Sequence, residues 1–344
     1  MTKFNFRSFI KVIVTISSIV ILIFSFLLFQ FLNTPLIRSS QQPINFVFEP
    51  GTTVVGLAYK LQKLKVIQSP MFFVLFVEMS GSSKKLHAGE YKVVPGTNVR
   101  HLLLMLQKGE VVKHGITFVE GWTFQQVKIA LLNNPYLVHE LKGLNNDAIM
   151  QKIGESGKAP EGMFAPDTYI FSGKISDAMV LRSSYNLMQK RLQTAWQNRA
   201  FNAPYKCTYE TLIAASMIEK ESAVSQERPL IAGVIIKRLQ LGMPLQIDAA
   251  VIYGLMHNCG EDERCIKDIS GAAVSLDDLK QDTSYNNYIH KGLPPTPISM
   301  PSADAINAAL HPIISDKLYY VAKGDGTHIF SSTLAEHDAA RRQK

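Results

Sequence analysis

Residues 212–228 read LIAASMIEKESAVSQER, an apolar and small-residue run followed by two closely spaced carboxylates. The pattern predicts a helix that carries Glu219 and Glu221 near its centre, with Glu227 on the surface beside Arg228. Because each residue turns an α-helix by about 100°, the two central carboxylates lie about 200° apart, on different faces. Glu221 shares its face with the larger apolar group, which is Ile213, Ala214, Met217 and Ile218.

The apolar neighbours of Glu221 favour the protonated form of its side chain. Burial among Ile and Met side chains disfavours the charged carboxylate, raises its pKa and suits a general acid. The alternative is a solvated carboxylate, or one paired with Lys220 or Arg228, since most glutamates in helices are exposed. From this helix alone, both interpretations stay open.

The composition excludes a disordered chain and allows more than one domain. The 344 residues are 47% hydrophobic and 19% charged, so each of two or three domains can bury a core. A net charge of +8 indicates an anionic partner such as a lipid surface or an acidic polymer. The lysines and arginines are dispersed and are not interleaved with aromatic residues, so nucleic acid is not a predicted partner.

The N-terminus predicts a single membrane anchor. Residues 12–32 contain no charge and are long enough to cross a bilayer as a helix. Lys3, Arg7 and Lys11 precede this segment, so the positive-inside rule predicts residues 1–11 in the cytoplasm and an exported remainder. A cleaved signal peptide is the alternative, but no A-x-A site follows the apolar run, which favours an uncleaved anchor.

A short stalk is predicted over residues 33–42, and a small α+β module over residues 43–140. Within the module a strand–turn–helix pattern repeats as PGTTVVGLAYKLQ at 50–62, PGTNVRHLLLMLQ at 95–107 and, more loosely, GWTFQQVKIALL at 121–132. Each copy turns at Gly and places Thr where a helix N-cap is expected. Such a module binds polysaccharide or serves as a spacer, and the pattern leaves both open.

A polar linker is predicted over residues 141–160 and a mainly helical domain over residues 161–344. Its amphipathic segments include one long helix at 176–201. Near the C-terminus, two short apolar runs flank Asp325-Gly326, which predicts a β-hairpin.

Two of the three cysteines bracket a polar loop. Cys259 and Cys265 enclose the sequence CGEDERC, and a disulfide is plausible there in an oxidising compartment. Cys207 is left over as a free thiol. The nine histidines show no metal-ligand spacing with each other or with cysteine, so no metal or other cofactor is predicted.

Several long motifs in a fixed order resemble the endolytic murein transglycosylase family, which are membrane-anchored enzymes with a YceG-like catalytic domain. The motifs are HAGEY, EGMFAPDTY, IEKESA, RPLIAGVIIKRLQLGMPLQIDAAVIYG, TSYNNYIHKGLPPTPIS, LHP and LYYVAKGDGTHIFSSTLAEH. The resemblance covers nearly the whole chain, and many motifs in one order carry far more weight than a lone short motif.

The resemblance implies an α+β fold with an N-terminal transmembrane helix, a small LysM-like module and a mainly helical lytic-transglycosylase-like domain with a short β-hairpin region. It implies an inner-membrane, single-pass protein whose catalytic domain is periplasmic. The implied reaction cleaves the MurNAc–GlcNAc bond of nascent peptidoglycan, forms a 1,6-anhydro-MurNAc end, and terminates or trims strand elongation. Peptidoglycan strands are the implied substrate, with peptidoglycan synthases or division-complex proteins as further partners.

Within the family motif E-K-E-[TS], the resemblance implies that the second glutamate, Glu221, is the catalytic acid. The pair Glu221-Ser222 also resembles the Glu-Ser pair of other lytic transglycosylases. Substrate-binding or supporting roles are predicted for Glu219, Ser222, Gln246, Asp248, Tyr253, Tyr285 and Asn286. Of these, Glu219 is predicted to act in the structure or behind the site, because it faces away from Glu221. Tyr320 and His328 on the hairpin are predicted to wall the cleft.

The chain departs from the family pattern at three places, one of which is the local variation of the Cys259–Cys265 loop. Ile247 and Ala249 stand where Thr and Pro are expected, and Met300-Pro301-Ser302 replaces a more usual Asn-Pro-Gly. These departures bear on the sugar subsites and leave the implied reaction intact.

Two other functions stay open from the residues. One is a glycan hydrolase with Asp248 or Glu219 as a second carboxylate, because ordinary glycosidases use two. The other is a catalytically silent wall-binding or division-complex scaffold. Anhydro ends among the products indicate the lyase, reducing ends indicate the hydrolase, and a lack of products indicates the scaffold.

Overall fold

The computed structural model describes residues 6–37, 40, 42–201, 203–260, 262, 264–265, 269 and 274–343. Over these residues the fold is mixed α+β, with many helices and few strands. The chain forms two compact units, Met1–His114 with Ile170–Gly173, and Gly115–Tyr169 with Lys174–Lys344. The module end predicted at residue 140 falls inside the second unit, so the functional division of the chain stays a prediction.

A long apolar helix, α1 (Phe6–Asn33), begins the first unit. Its segment Ile10–Asn33 has a mean hydropathy of 2.9 and is long enough to cross a bilayer. This confirms an apolar N-terminal helix, which fits a single-pass anchor or a signal sequence. The last turns of α1 pack onto the hydrophobic core of the first unit through Leu28, Phe31 and Leu32.

Two strands and three helices complete the first unit: β1 (Ile44–Phe48), α2 (Val54–Lys63), α3 (Pro70–Met79), β2 (Gly89–Val93) and α4 (Val99–Lys108). The strands are antiparallel, with Ile44 opposite Val93. Alternate strand residues such as Phe46 and Tyr91 point into the core, where their rings stack at a centroid distance of 5.5 Å.

The predicted helix starts of the three repeats are confirmed with one change. Thr53 caps α2, and Thr123 forms a capping box with Gln126. In the second repeat the N-cap is Asn98 and not Thr97. The Asn98 side chain accepts a hydrogen bond from the His101 amide. Asparagine caps helices as well as threonine does, so the helix begins one residue later than predicted.

The second unit is mainly helical. Its helices are α5 (Phe124–Asn133), α6 (Asn146–Lys152), α7 (Asp177–Gln197), α8 (Thr208–Glu221), α9 (Arg228–Gln240), α10 (Asp248–Asn258), α11 (Ala303–Leu310) and α12 (Leu334–Arg342). Helix α6 lies within the segment predicted as a linker, and it is ordered there because Ile149 and Met150 are buried.

Besides β1 and β2, short strands pair at three places in the described residues. Their ranges are β3 (Lys113–Phe118) with β5 (Asp167–Ser172), β4 (Leu137–Val138) with β6 (Ile175–Ser176), and β7 (Tyr319–Ala322) with β8 (His328–Ser331). The β4–β6 pair is parallel, and the β7–β8 pair is the predicted hairpin, with Tyr320 opposite Phe330.

Helix α8 lies at the centre of the second unit. Residues 211–218 are all buried, and α7, α9, α10 and α11 pack against the helix. The helix ends at Glu221 and does not continue to Arg228, so the carboxylates lie at its end and not at its centre. Ser222 is extended and its hydroxyl accepts a hydrogen bond from the Val224 amide at 3.0 Å, a local turn that competes with the helix.

Helix α9 packs closely against the main chain at Ile313 through Gly233. A Cβ atom on Gly233 would collide with the main-chain carbonyl of Ile313. The Ile313 amide donates to the Pro229 carbonyl at 2.9 Å, which holds this segment against the first turn of the same helix.

We expect Gly233→Ala to lower the free energy of unfolding by about 1–3 kcal/mol, as overpacking does, although alanine favours helices more than glycine does. Denaturant unfolding of the detergent-solubilised chain measures the change. Gly56→Ala is the control, since a Cβ there meets only side-chain atoms of Thr52 and Thr53. A Gly233→Ala protein as stable as the wild type would contradict the close approach.

Candidate active site

Glu221 is the last residue of α8, so its side chain leaves the buried helix where the chain turns away. Its Oε2 atom accepts a hydrogen bond from the hydroxyl of Tyr320 at 2.7 Å. Tyr320 lies on β7, 99 residues further along the chain. The hairpin therefore contacts Glu221 directly.

Burial raises the pKa of Glu221, which is the direction predicted from its apolar neighbours. The hydrogen bond from Tyr320 opposes this rise, the negative charge of Asp248 adds to it, and His328 and Arg238 oppose it further. Because burial is the largest of these influences, the pKa of Glu221 stays above its ordinary value.

The hairpin is attached to the loop that follows α8. The backbone amide of His328 donates to Glu227 Oε1 at 3.0 Å, and the Nδ1 atom of His328 lies 2.7 Å from Glu227 Oε2. The ring of His328 packs edge-on against Tyr320, with centroids 5.6 Å apart. His328 therefore contacts both Glu227, in the loop that follows α8, and Tyr320, which donates to Glu221.

The prediction that Glu227 is a surface residue is wrong. Its side chain is only 15% exposed, because it is enclosed by its contact with His328. Burial acts to raise the pKa of Glu227, but the hydrogen bonds from His328 outweigh it and leave the pKa lowered.

Arg238 joins the segment before α10 to the hairpin. Its guanidinium donates to the Leu245 carbonyl at 2.8 Å, to the Gln246 side chain at 3.1 Å, and to the Leu318 carbonyl at 2.7 Å. Gln246 has a φ of +55°, in the left-handed region that residues other than glycine rarely adopt without support. Gln246 therefore belongs to the framework of the site through Arg238.

Asp248 begins α10, and its charge influences the Glu221 carboxyl. Its Oδ1 atom accepts a hydrogen bond from the hydroxyl of Tyr288 at 2.5 Å. The structure thus brings Asp248, Tyr288 and Tyr320 to the neighbourhood of Glu221. Tyr288 was not singled out from the sequence.

Glu219 and Arg228 form a buried ion pair behind the site. Glu219 Oε1 lies 2.9 Å from Arg228 Nη2, and each side chain is 6% exposed. Glu219 Oε2 accepts hydrogen bonds from the amide and the hydroxyl of Ser302, the N-cap of α11, at 2.8 and 2.5 Å. Arg228 also donates to the Ser222 carbonyl at 3.1 Å. These contacts connect α8, α9 and α11 and give Glu219 a structural setting.

The other predicted residues make contacts with groups other than Glu221. Ser222 is buried, and its hydroxyl bonds within its own turn. The hydroxyl of Tyr253 donates to Glu161 at 3.1 Å, and the Tyr253 and Tyr285 rings meet edge to face. Asn286 is buried and its side-chain amide donates to two main-chain carbonyls of the 279–281 segment.

The cysteines form one bridge. Cys259 and Cys265 are disulfide-bonded, with Cα atoms 5.8 Å apart, directly after α10. Cys207 is a free, exposed thiol at the start of α8.

Arg238, Tyr288 and Glu161 take part in these networks but were not identified from single-residue patterns. The available signal for Arg238 was its place in a predominantly apolar helix, RPLIAGVIIKRLQ, where Lys237 is charged as well. That signal does not name the partner, because Leu318 and Arg238 lie 80 residues apart.

Comparison with known proteins identifies relatives of this chain. The profile of the YceG-like family matches residues 46–343. A Bacillus subtilis (strain 168) protein named endolytic murein transglycosylase is 29% identical over 337 residues, covering 93% of this chain and 89% of that protein. A Streptococcus pneumoniae protein of the same name is 26% identical over 340 residues, and the match spans 88% of this chain and 59% of that longer protein.

A solved structure is similar as well. The crystal structure of a yceG-like protein from Listeria monocytogenes superposes with a TM-score of 0.54 at 26% identity. The match covers 87% of this chain and 99% of that protein.

We expect Arg228→Ala to lower the free energy of unfolding by about 3–5 kcal/mol, because it leaves the Glu219 charge buried without its partner. Adding Glu219→Gln removes that charge and should recover part of the loss, which a double-mutant cycle quantifies. Lys280→Ala, which breaks an ion pair that is 74% and 87% exposed, should change the stability little. Equal effects of Arg228→Ala and Lys280→Ala would contradict a structural role for the buried pair.

Proposed function

Because this chain belongs to the YceG-like family, we propose that it cuts peptidoglycan strands at the MurNAc–GlcNAc bond and leaves a 1,6-anhydro-MurNAc end. Its relatives are named endolytic murein transglycosylases, and the chain is accordingly a lyase of the lytic transglycosylase type. The observation that carries the proposal is the position of Glu221. Burial raises the pKa of this carboxyl, and it accepts a hydrogen bond from the Tyr320 phenol at the end of a buried helix.

Glu221 acts twice in the proposed reaction. The protonated carboxyl donates its proton to the glycosidic oxygen, and the bond from that oxygen to the muramyl C1 breaks as an oxocarbenium-like state develops. The C6 hydroxyl of the same sugar attacks C1, and the Glu221 carboxylate accepts the proton that the hydroxyl releases. The carboxyl ends the cycle protonated, and no water is consumed.

One carboxyl suffices because the nucleophile belongs to the substrate. An attack within one sugar has a high effective molarity, so no second side chain is needed to activate a water molecule. Glu219 is held by Arg228 and Ser302 and is not available as a second catalytic group. Asp248 supports Glu221 through its charge, which raises the pKa of the acid.

The anchor fits an enzyme that works beside a membrane. The end of α1 packs into the core of the first unit through Leu32, which favours a retained helix over a cleaved signal. We place residues 1–11 in the cytoplasm, a LysM-like module at residues 43–140, and the catalytic domain, residues 161–344, in the periplasm. From there the enzyme would terminate or trim nascent strands beside their synthases.

Glu221→Gln is expected to reduce the rate of strand cleavage roughly 10²–10⁴-fold, the contribution of a positioned acid–base group. The amide keeps the shape of the carboxyl but cannot donate or accept the proton. Mass spectrometry of products from uncrosslinked peptidoglycan strands measures both the rate and the ends. Wild-type products should carry anhydro ends.

The same product analysis tests the alternatives. Reducing ends from the wild-type protein would indicate a hydrolase, and full activity of Glu221→Gln would remove Glu221 from the mechanism. Asp248→Asn should still yield anhydro ends, because Asp248 is assigned an electrostatic role. A wild-type protein that binds strands without cutting them would indicate a scaffold.

Two conservative variants should move the pH dependence in opposite directions. The rate falls as pH rises through the pKa of Glu221, since the acid must be protonated. Tyr320→Phe removes a hydrogen bond that lowers this pKa, so the alkaline limb of kcat/KM should move to higher pH. Asp248→Asn removes a charge that raises the pKa, so the limb should move to lower pH. Shifts in one common direction would contradict the assigned influences.

A further inference from the structure

Helix α3 of the first unit, Pro70–Met79, is apolar around its circumference, and its only charged residue is Glu78. Phe73 and Val77, one turn apart, are buried in the core of the first unit. A helix on the surface of a water-soluble domain normally carries polar side chains on the face opposite its core. The opposite face of α3 is apolar as well, so it lacks the side chains that favour contact with water.

The outer face of α3 consists of four apolar side chains. At about 100° per residue they fall within one sector of about 100° opposite the buried pair, and they are Met71, Phe72, Leu75 and Met79. Met71 and Met79 are 68% and 71% exposed, although methionine is among the residue types most often buried. Single exposed apolar residues are ordinary in proteins, but a continuous apolar face marks an interaction site.

The outer face of α3 meets the apolar helix α1 through Phe72. The centroid of the Phe72 ring lies 5.8 Å from that of Phe24 and 5.6 Å from that of Phe31. Both partners belong to Ile10–Asn33, the segment long enough to cross a bilayer, and Phe24 is exposed on α1. The surface that α1 presents to lipid therefore continues onto the outer face of α3.

The position of these rings along α1 places Phe72 at the depth of the bilayer. Counted from Val12, the first residue after Lys11, a hydrocarbon core about 30 Å thick takes up about twenty helical residues and ends near Phe31. Phe24 lies seven residues earlier, about 10 Å below that boundary. Because Phe72 contacts both rings, it reaches into the outermost 10 Å or so of the hydrocarbon, the depth at which interfacial helices bury their apolar faces.

The chain that follows α1 holds the first unit close to this boundary. Only Thr34 and Pro35 separate the helix from Leu36, whose amide donates to the Thr97 carbonyl at 2.7 Å. Ile37 is buried. The first unit therefore begins directly at the end of α1, which keeps α3 beside the bilayer.

Exposed lysines flank α3 on both sides. Lys63 and Lys65 precede the helix, and Lys84 and Lys85 follow it. Lys65 lines a cleft of about 370 Å³ together with Gln30, so it lies near the end of α1. Lysines beside a membrane-embedded apolar face interact favourably with anionic lipid headgroups.

We propose that α3 is a membrane-interface helix, whose outer face lies in the lipid leaflet on the exported side, beside α1. This inference rests on the proposed uncleaved anchor. A helix of ten residues is about 15 Å long, half the thickness of the hydrocarbon, so α3 lies along the interface and does not cross it. Lipid covers the outer face, while Phe73 and Val77 join the same helix to the core. The first unit thus contacts the bilayer at two places, α1 and α3, and these fix its orientation on the membrane.

Spin labels measure the depth of the outer face in the full-length chain. Met71→Cys and Met79→Cys are made singly in a Cys207→Ser background and labelled without reductant, so that the disulfide stays closed. The proteins are placed in nanodiscs of phosphatidylcholine and phosphatidylglycerol. Accessibility to oxygen, which concentrates in lipid, is compared with accessibility to a water-soluble nickel chelate. Both labels should lie about 5–10 Å below the headgroups. Their depths should be similar, since a helix along the bilayer normal would separate them by about 12 Å.

Two further labels serve as controls. Tyr59→Cys replaces a side chain of α2 that is 61% exposed, and its label should be accessible to the nickel chelate. Leu22→Cys lies within α1, and its label should be accessible to oxygen and not to nickel.

The four labels distinguish this inference from the anchor on which it rests. Labels at Met71 and Met79 as open to nickel as the label at Tyr59, with Leu22 in lipid, would overturn the interface helix alone. Shielding of both from oxygen and nickel, with spin–spin broadening, would indicate a second copy of the chain on this face and would overturn the lipid assignment. A Leu22 label open to nickel would overturn the anchor and this inference together.

Discussion

Helix α8 is buried on all sides over residues 211–218, and this burial constrains the carboxylates at its end. A helix whose residues 211–218 are buried among α7, α9, α10 and α11 carries two carboxylates at its final turn. A buried charge is costly unless it is paired or neutralised, and the two glutamates take different routes. Glu219 is paired with Arg228 and with Ser302 at the N-terminus of α11, whereas burial raises the pKa of Glu221. One helix end thus carries a buried ion pair and, two residues further on, the carboxyl proposed as the proton donor.

Much of the fold was predictable because it depends on local patterns. The apolar N-terminal helix, the strand–turn–helix repeats, the long helix α7 and the C-terminal hairpin follow from hydropathy, N-caps and the Asp-Gly turn. The failures were also local. Helix α8 ends earlier than predicted because the Ser222 hydroxyl accepts a hydrogen bond from the Val224 amide, and α4 begins one residue later than predicted because Asn98 and not Thr97 is its N-cap.

The candidate site was less predictable, because its contacts join distant parts of the chain. The apolar-face argument indicated Glu221, but both faces of α8 are buried, so the argument does not separate it from Glu219. What separates them is Arg228, on the next helix, and Tyr320, which is 99 residues away. Glu227 was misread for the same reason, since His328 reaches it across 101 residues. Periodicity in the sequence predicts which residues are buried, but it does not predict which distant side chain contacts each of them.

A carboxyl that must act first as an acid and then as a base needs more than burial. Burial alone favours the neutral form throughout and would hinder the loss of the proton to the leaving oxygen. The hydroxyl of Tyr320 stabilises the carboxylate once that proton has left, and the positive side chain of Arg238 acts in the same direction. Asp248 opposes them and restores the affinity for the proton that the second step returns. The hairpin, held by His328 and Arg238, is therefore part of the proposed chemistry, because it brings to Glu221 the group that makes its proton transferable in both directions.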